Sequence, residues 1–266
     1  MILKTIFFIL FAAIIAYQEY RLYNLDNQIH IVYNQQKIRD RRNKLEETDF
    51  IRTAKNSILI LKCTDTTSPN KSWIASAVKS HPTHIVTVFH NISDESNKIK
   101  RTYPISCNLT QENIKMGDFK IKSDKEAKEY QVGERDIAII PVNYTKEGEA
   151  LPNLVPKRTK VTTGDVVALL SSPAKFHLDA TVSFGVVLSN NVKYSMLDDY
   201  KTFWNDAISS DIIASAGSSG GALVHFGKEA QFIGIHVGNN QLTGLYLAYY
   251  QLLFDDLFFD RFNSLK

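Results

Sequence analysis

Cysteine is scarce: the 266 residues hold two. That excludes a disulfide-framework fold and a four-cysteine zinc site. Excess charge of one sign is also lacking. Thirty-one Lys and Arg against 28 Asp and Glu leave a net +3 at pH 7, too little for nucleic-acid binding by bulk electrostatics. Strongly apolar sequence is confined to the N-terminus, which excludes a multi-pass membrane architecture. Internal repeats and low-complexity tracts are absent. What is present, 44% hydrophobic and 22% charged residues, is a globular composition, neither disordered nor collagen-like. The length suits roughly two domains.

Ile2 to Tyr17 carries only Lys4 as a charge. Its uninterrupted apolar part, Ile6 to Ala16, is about 11 residues, against roughly 17 to 25 for a membrane span and 7 to 15 for a signal-peptide core. Extended to Tyr20, the segment reads first as a short signal-anchor with Tyr17 and Tyr20 at the interface. A cleaved signal peptide is the second reading, although Ala12, Ala13 and Ala16 form no clean A-x-A. A buried N-terminal helix is the third. Lys4 on one side and Arg21 on the other specify orientation only weakly. From Glu19 to Glu47 there is no Pro or Gly. Leu22, Leu25, Ile29 and Val32 keep heptad spacing, which lapses at Gln36 and Arg39 and is too short for a coiled coil. A solvated helical stalk is expected. Self-association, and contact of the basic run Lys37 to Lys44 with lipid headgroups, are its alternatives.

Beyond about residue 50 the period changes. Short β-branched apolar runs recur at Ser57 to Cys63, Trp73 to Val78, His84 to Phe89, Asp136 to Val142, Asp165 to Leu170, Thr181 to Ser189, Gly221 to Val224, Gln231 to His236 and Gly244 to Ala248. Many short strands with little helix between them predict an antiparallel, all-β sandwich or barrel. Leu253, Phe254, Leu257, Phe258 and Phe262 fall at helical spacing. They predict that the tail from Tyr249 to Phe262 is a C-terminal helix that packs its aromatic face on the barrel. Tyr144 to Lys160, with two prolines and mixed charge, is the expected interdomain connection.

Chemistry concentrates at Ala216-Gly217-Ser218-Ser219-Gly220-Gly221. A serine hydroxyl becomes a nucleophile only when a base removes its proton. The developing oxyanion needs preorganised donors, and flanking glycines let two backbone N–H groups, here those of Gly217 and Ser219, converge. The base in turn needs a carboxylate to fix its tautomer. His90 ends an apolar run, so a strand would deliver it to a barrel rim, whereas His84 at the other end reads as structural. Asp136 opens another run and would be half-buried beside an imidazole. The order is then His, Asp, Ser, each at a strand edge. Gly217-x-Ser219-x-Gly221 also fits the nucleophile elbow of α/β-hydrolases. That fold needs an acid and then a histidine after the serine. Only Glu229, between His225 and His236, is available, and too little chain follows.

From about residue 50 onward the chain resembles a trypsin-like serine protease, with the HtrA-like and glutamyl-endopeptidase branches most similar. Thr87-Val-Phe-His90 resembles the stretch ending in the family's catalytic histidine, Asp136-Ile-Ala-Ile the segment of its aspartate, and Gly217-Ser-Ser219-Gly-Gly its nucleophile loop. Val182-Ser-Phe-Gly185-Val-Val and Ser210-Asp211 resemble strands preceding that loop. The resemblance implies two antiparallel six-stranded β-barrels, chymotrypsin-like, at about residues 50–150 and 151–266. They would follow an anchor or signal segment (1–20) and a stalk (21–49). The triad would lie in the cleft between the barrels. It implies a serine endopeptidase acting on protein or peptide, with His90, Asp136 and Ser219 catalytic, Gly217 and Ser219 forming the oxyanion hole, and no cofactor. With the N-terminal segment as a single-pass anchor the protease domain would lie outside the cytosol; with that segment cleaved it would be secreted. An unperturbed imidazole base predicts activity that falls below about pH 6.5.

Ser218 stands where vertebrate-type relatives carry an Asp that pairs with a new N-terminus, so no activation cleavage of that kind is expected. The chain ends soon after Ser219, with no room for the C-terminal peptide-binding domain usual in HtrA-like proteins. Phe232-Ile-Gly234-Ile-His236-Val-Gly238 resembles the strand lining the primary specificity pocket of glutamyl endopeptidases and of picornavirus-type proteases that cut after Gln. A pocket histidine can bond a substrate carboxylate or amide and penalise apolar side chains. His236, Gly234 and, five positions before the nucleophile, Ala214 with neighbouring Ser215 are the expected substrate-binding residues, with Glu or Gln preferred. For Cys63 and Cys107 two free, buried thiols are favoured over a bridge. Asn70, Asn91, Asn108 and Asn143 fit the N-glycosylation pattern, a match too cheap in an Asn-rich chain to fix location. Two further readings are a dedicated processing protease of viral or mobile-element origin and a catalytically inactive, membrane-anchored peptide-binding relative.

Overall fold

In a computed structural model, the residues described are 48–266, except 69–70, 94–101, 174–179, 193–206, 243–244, 254–255 and 266. The expected anchor and nearly all of the expected stalk therefore lie outside the described residues. Among those described, no helix is long and apolar enough to cross a membrane.

The fold starts with helix α1 (Asp49–Asn56), capped by the Thr48 side chain, which accepts the Ile51 N–H, and burying Ile51 and Ala54. The first sheet comprises β1 (Ile58–Asp65), β2 (Ser72–His81), β3 (His84–Thr87), β4 (Ile105–Gln111), β5 (Ile114–Ile121), β6 (Ala138–Pro141) and β7 (Asn143–Tyr144). Its order is β6-β3-β2-β1-β4-β5-β7. The strands at its two ends, β6 and β7, are separated in sequence by Val142 alone, whose N–H donates to Thr83. The chain thereby brings both edges together and the sheet curls into a nearly closed barrel. Helix α2 (Asp124–Tyr130) and the short α3 (Lys146–Ala150) lie on it. The second sheet comprises β8 (Val166–Ser171), β9 (Thr181–Val192), β10 (Ala207–Ser210), β11 (Ala222–Phe226), β12 (Ala230–Leu242) and β13 (Leu245–Leu252). It closes completely in the order β10-β13-β12-β11-β8-β9. Helix α4 (Asp256–Asn263) follows. Both barrels belong to one compact unit. The all-β, two-barrel expectation holds, with a two-residue seventh strand added to the first barrel.

Continuous apolar runs in the second barrel reflect burial on both faces of a strand. Along β8, Val167 and Leu169 enter the second barrel's core, while Ala168 and Leu170 join the larger core shared with the first barrel. Leu223 on β11 and Ile233 on β12 point into the second barrel, and Val224 and Phe232 join the other core. The expected connection, Tyr144 to Lys160, does run between the barrels. It contains α3, and the buried Lys79 clamps it: Nζ donates to Gly148, Glu149 and Leu151 carbonyls at 2.8, 2.9 and 2.7 Å.

Three expectations are corrected. Cys63 and Cys107 are bridged, not free. They sit directly opposite on antiparallel β1 and β4, a pairing invisible while β4 itself was not anticipated. The C-terminal helix does not begin at Tyr249: Leu245–Leu252 forms β13, the helix is Asp256–Asn263, and Leu257 is exposed. Pairing of β13 with both β10 and β12 closes the barrel, which outweighs helical spacing over so short a stretch. The strand expected over His84 to Phe89 ends at Thr87, and Phe89–Asn91 is a 3-10 turn.

Candidate active site

β3 and β6 run antiparallel with Thr87 opposite Ala138. Continuing that register two steps places Asp136 opposite Phe89, next to His90. The contact is direct. Asp136 Oδ1 accepts the His90 backbone N–H at 2.8 Å, and Oδ2 takes the ring Nδ1 at 2.6 Å. Expected to be half-buried, Asp136 is wholly buried (1% exposed), while the His90 side chain keeps 19% of its surface. A carboxylate on Nδ1 holds the proton there and leaves Nε2 with its lone pair.

The 3-10 turn carrying His90 also carries Asn91, buried, whose side-chain N–H donates to Thr87 Oγ1 at 3.1 Å and to the Ser219 carbonyl at 3.3 Å. The Trp73 indole bonds the Asn91 carbonyl. The side-chain nitrogen that the sequence pattern would glycosylate is thus committed to the site. The Ser76 backbone N–H on β2 donates to the same Ser219 carbonyl at 2.8 Å. The first barrel therefore holds the main chain of the Ala216 to Gly221 loop from two sides.

The loop's own bonds fix its shape. The Ser218 N–H donates to Ser215 at 3.0 Å and the Gly221 N–H to Ser218 at 2.9 Å. Gly217 and Gly220 have φ of 94° and 86°, a left-handed conformation costly for other residues. A Cβ on Gly220 would lie 2.1 Å from the Ser76 carbonyl and 2.3 Å from Thr87 Oγ1, so only glycine fits where this residue packs on the first barrel. Among the described residues, neither the Gly217 nor the Ser219 N–H has a protein acceptor, and Ser219 Oγ makes no hydrogen bond. The structure thus joins His90 to Asp136 directly, and joins Ser219 to the histidine's turn through Asn91.

Ser218 is buried and neutral. Its hydroxyl accepts from Ser171 Oγ at 3.1 Å and from the Ser215 N–H at 3.4 Å. These hydroxyls, with Ala214, Ile213, Pro173, Thr181 and Ser183, line a cavity of about 300 Å³ behind the loop.

His236 bonds the loop through its main chain: its carbonyl accepts the Gly220 N–H at 2.8 Å, and its N–H donates to Gly221 at 2.9 Å. The ring is 1% exposed, lies 5.3 Å from the Tyr250 ring, and among the described residues its Nδ1 has no hydrogen-bond partner. Burial first, then repulsion from His90, pushes its pKa down to about 3, against an opposing hydrogen bond with the Tyr249 main chain. Across from it, Asn239 Nδ2 donates to the Ala214 carbonyl at 3.2 Å. Gly234 lies further along β12, paired with Leu223 and Leu252 in the barrel wall. Ser210 and Asp211, singled out in the sequence, adjoin β9: Asp211 Oδ1 accepts the Val186 N–H at 2.7 Å.

Sequence reasoning missed Asn91, Thr87 and Ser76. The available signal was their polarity inside otherwise buried runs, since a buried hydroxyl or amide requires a partner.

Residues 75–235 match the family model of the trypsin-like peptidase domain. Three solved structures share the fold. The active form of the Rv3671c protease of M. tuberculosis has a TM-score of 0.57 at 15% identity, over 78% of this chain and 81% of that one. The HtrA-type protease AlgW, solved with a decapeptide, has a TM-score of 0.54 at 18% identity, over 80% of this chain and 65% of that one. Deg5 has a TM-score of 0.50 at 16% identity, over 77% and 88%. No curated protein matches the sequence.

Proposed function

Given that the chain belongs to the trypsin-like peptidase family of serine proteases, we propose that it cleaves peptide bonds with Ser219 as nucleophile, His90 as general base and Asp136 as the group that orients His90. The observation that carries this reading is the two-point grip of Asp136 on His90, backbone and ring, beside the Asn91 bond to Ser219.

Ser219 Oγ attacks the scissile carbonyl carbon while His90 Nε2 takes its proton. The negative charge moves to the former carbonyl oxygen, where the Gly217 and Ser219 N–H groups receive it. Collapse expels the amine, to which His90 returns the proton, leaving an acyl-Ser219 ester. Water, deprotonated by the same nitrogen, releases the acid and restores the serine. Asp136 keeps its negative charge and stabilises the imidazolium. The Oγ–Nε2 hydrogen bond, not made in the free protein, forms when substrate arrives.

His236 supports a preference for Gln, and less for Glu, before the scissile bond. A ring held neutral by burial leaves Nδ1 as a polar atom needing a partner. A neutral amide supplies one at little cost, whereas a carboxylate must be desolvated without a cation beside it. The Cys63–Cys107 bridge supports an oxidising, non-cytosolic location, in keeping with an N-terminal anchor or signal.

The test is covalent labelling by a fluorophosphonate, followed by mapping of cut sites in a peptide library. Labelling is expected at Ser219 and absent in Ser219→Ala, with cuts enriched after Gln. A folded wild-type domain that takes no label would instead be the inactive peptide-binding relative.

A further inference from the structure

Ser76 lies in the middle of β2, fully buried, flanked by Ala75 and Ala77. A buried serine ordinarily returns its hydroxyl to its own strand or sheet. Here every polar group of the residue has a partner, and three of the four partners belong to the second barrel: Gly217 and Ser219 in the loop before β11, and Ser172 just after β8. The hydroxyl donates to the Gly217 carbonyl at 2.7 Å and accepts the Ser172 N–H at 2.9 Å. The backbone N–H donates to the Ser219 carbonyl at 2.8 Å. The carbonyl alone stays within the first barrel, accepting from Thr87 Oγ1 at 2.8 Å.

We propose that Ser76 is a positioning residue for the oxyanion hole: its hydroxyl fixes the Gly217–Ser218 peptide plane, the neighbour of the Ala216–Gly217 plane that carries the Gly217 N–H. The inference rests on the reading that Gly217 and Ser219 hold the oxyanion. The Gly217–Ser218 peptide is held at its oxygen by Ser76 and at its nitrogen by the Ser215 carbonyl. With that plane fixed, ψ and the left-handed φ of Gly217 set the direction of its own N–H, which lies on the preceding peptide. The second donor, Ser219 N–H, shares a peptide with the Ser218 carbonyl, which the Gly221 N–H holds. Only the first donor depends on a side chain. Without the hydroxyl, the Gly217 carbonyl loses its donor, and a rotation about ψ of Gly217 that turns it toward another one changes how the preceding Ala216–Gly217 peptide, with its N–H, is aimed at the hole. Preorganised donors contribute to the transition state and little to the ground state.

The experiment compares wild type, Ser76→Ala and Ser76→Cys, the last keeping the side chain's shape with a weaker donor. Three quantities are read: kcat and KM on a cleaved peptide, the affinity of a peptide boronate that forms a tetrahedral adduct on Ser219, and the affinity of the corresponding product peptide. Ser76→Ala is expected to lower kcat by about 10- to 100-fold with KM within about threefold, and to weaken the boronate by the same factor while product affinity stays unchanged. Ser76→Cys falls between. Should Ser76→Ala fail to fold, Ser76→Cys carries the comparison. Boronate affinity and kcat within twofold of wild type in either folded variant overturn the proposal and leave the nucleophile reading intact. No adduct in the wild type overturns both.

Discussion

His236 shows how a single buried side chain couples the site to the stability of the whole. Its ring stays neutral in the folded protein down to about pH 3, chiefly because burial opposes its charge. In the unfolded chain it takes up a proton near the ordinary value of 6.5. Between those limits the unfolded state binds more protons, so stability falls as the pH drops from about 6.5 toward 3. Above 6.5 this residue contributes no pH dependence. The slope from one such group reaches about 1.4 kcal/mol per pH unit. Urea titrations at pH 7, 5.5 and 4.5 are expected to show the wild type losing stability more steeply than His236→Leu, which lacks the titrating ring. Equal slopes would mean that the ring is reachable by water. At this scale the sequence was informative where a residue's position along a strand was the signal. His90 and Asp136 were legible because each sits just outside an apolar run, and the glycines around Ser219 because few other residues suit that loop. Ser76 and Asn91 were not, because their partners are set by how β2 and the 3-10 turn meet a loop from the other barrel, and no local pattern carries that.

The elements show the same division between local and distant causes. β4 was not anticipated because its outward positions, Ser106 and Asn108, read as loop, although Ile105, Cys107 and Leu109 alternate inward with the strand period of two. With β4 goes the disulfide, since only the β1–β4 register sets Cys63 against Cys107. The bridge closes a loop with a sequence separation of 44, for which chain entropy alone gives about 4 kcal/mol. That loop contains β2, β3 and the turn bearing His90. Replacing both cysteines by alanine is expected to lower the urea midpoint by the equivalent of about 2–5 kcal/mol, and reductant is expected to do the same to the wild type. At temperatures where the variant remains folded, KM should stay near the wild-type value. An unchanged midpoint in both measurements would show that β1 and β4 hold their register without the bond.

For the whole molecule, the question is what makes two barrels act as one body around a site that neither completes. The loop carrying Ser219 belongs to the second barrel, yet its carbonyls are held by Ser76 and Asn91 of the first. The chain ends by crossing back. Helix α4 leaves β13 and stacks Phe258 on Phe262, their rings 5.6 Å apart, in the core shared with the first barrel. Arg261 donates to the Glu129 and Gln131 carbonyls at the end of α2, and Arg135, one residue before Asp136, donates to Leu252 at the end of β13. The sequence signalled the aromatic spacing of this helix but not its landing place, which depends on contacts more than a hundred residues apart in sequence. Because these ties cross between barrels, loss of one should be felt by both. Phe258→Ala, which removes a fully buried ring, is expected to cost about 3–5 kcal/mol. Calorimetry should record a single transition in the wild type and a single, lower one in the variant, with loss of activity following the same curve. A second transition left at the wild-type temperature would instead mean that the barrels unfold separately. In that case α4 would be an appendage of the second barrel, and the site would be held together by the loop contacts alone.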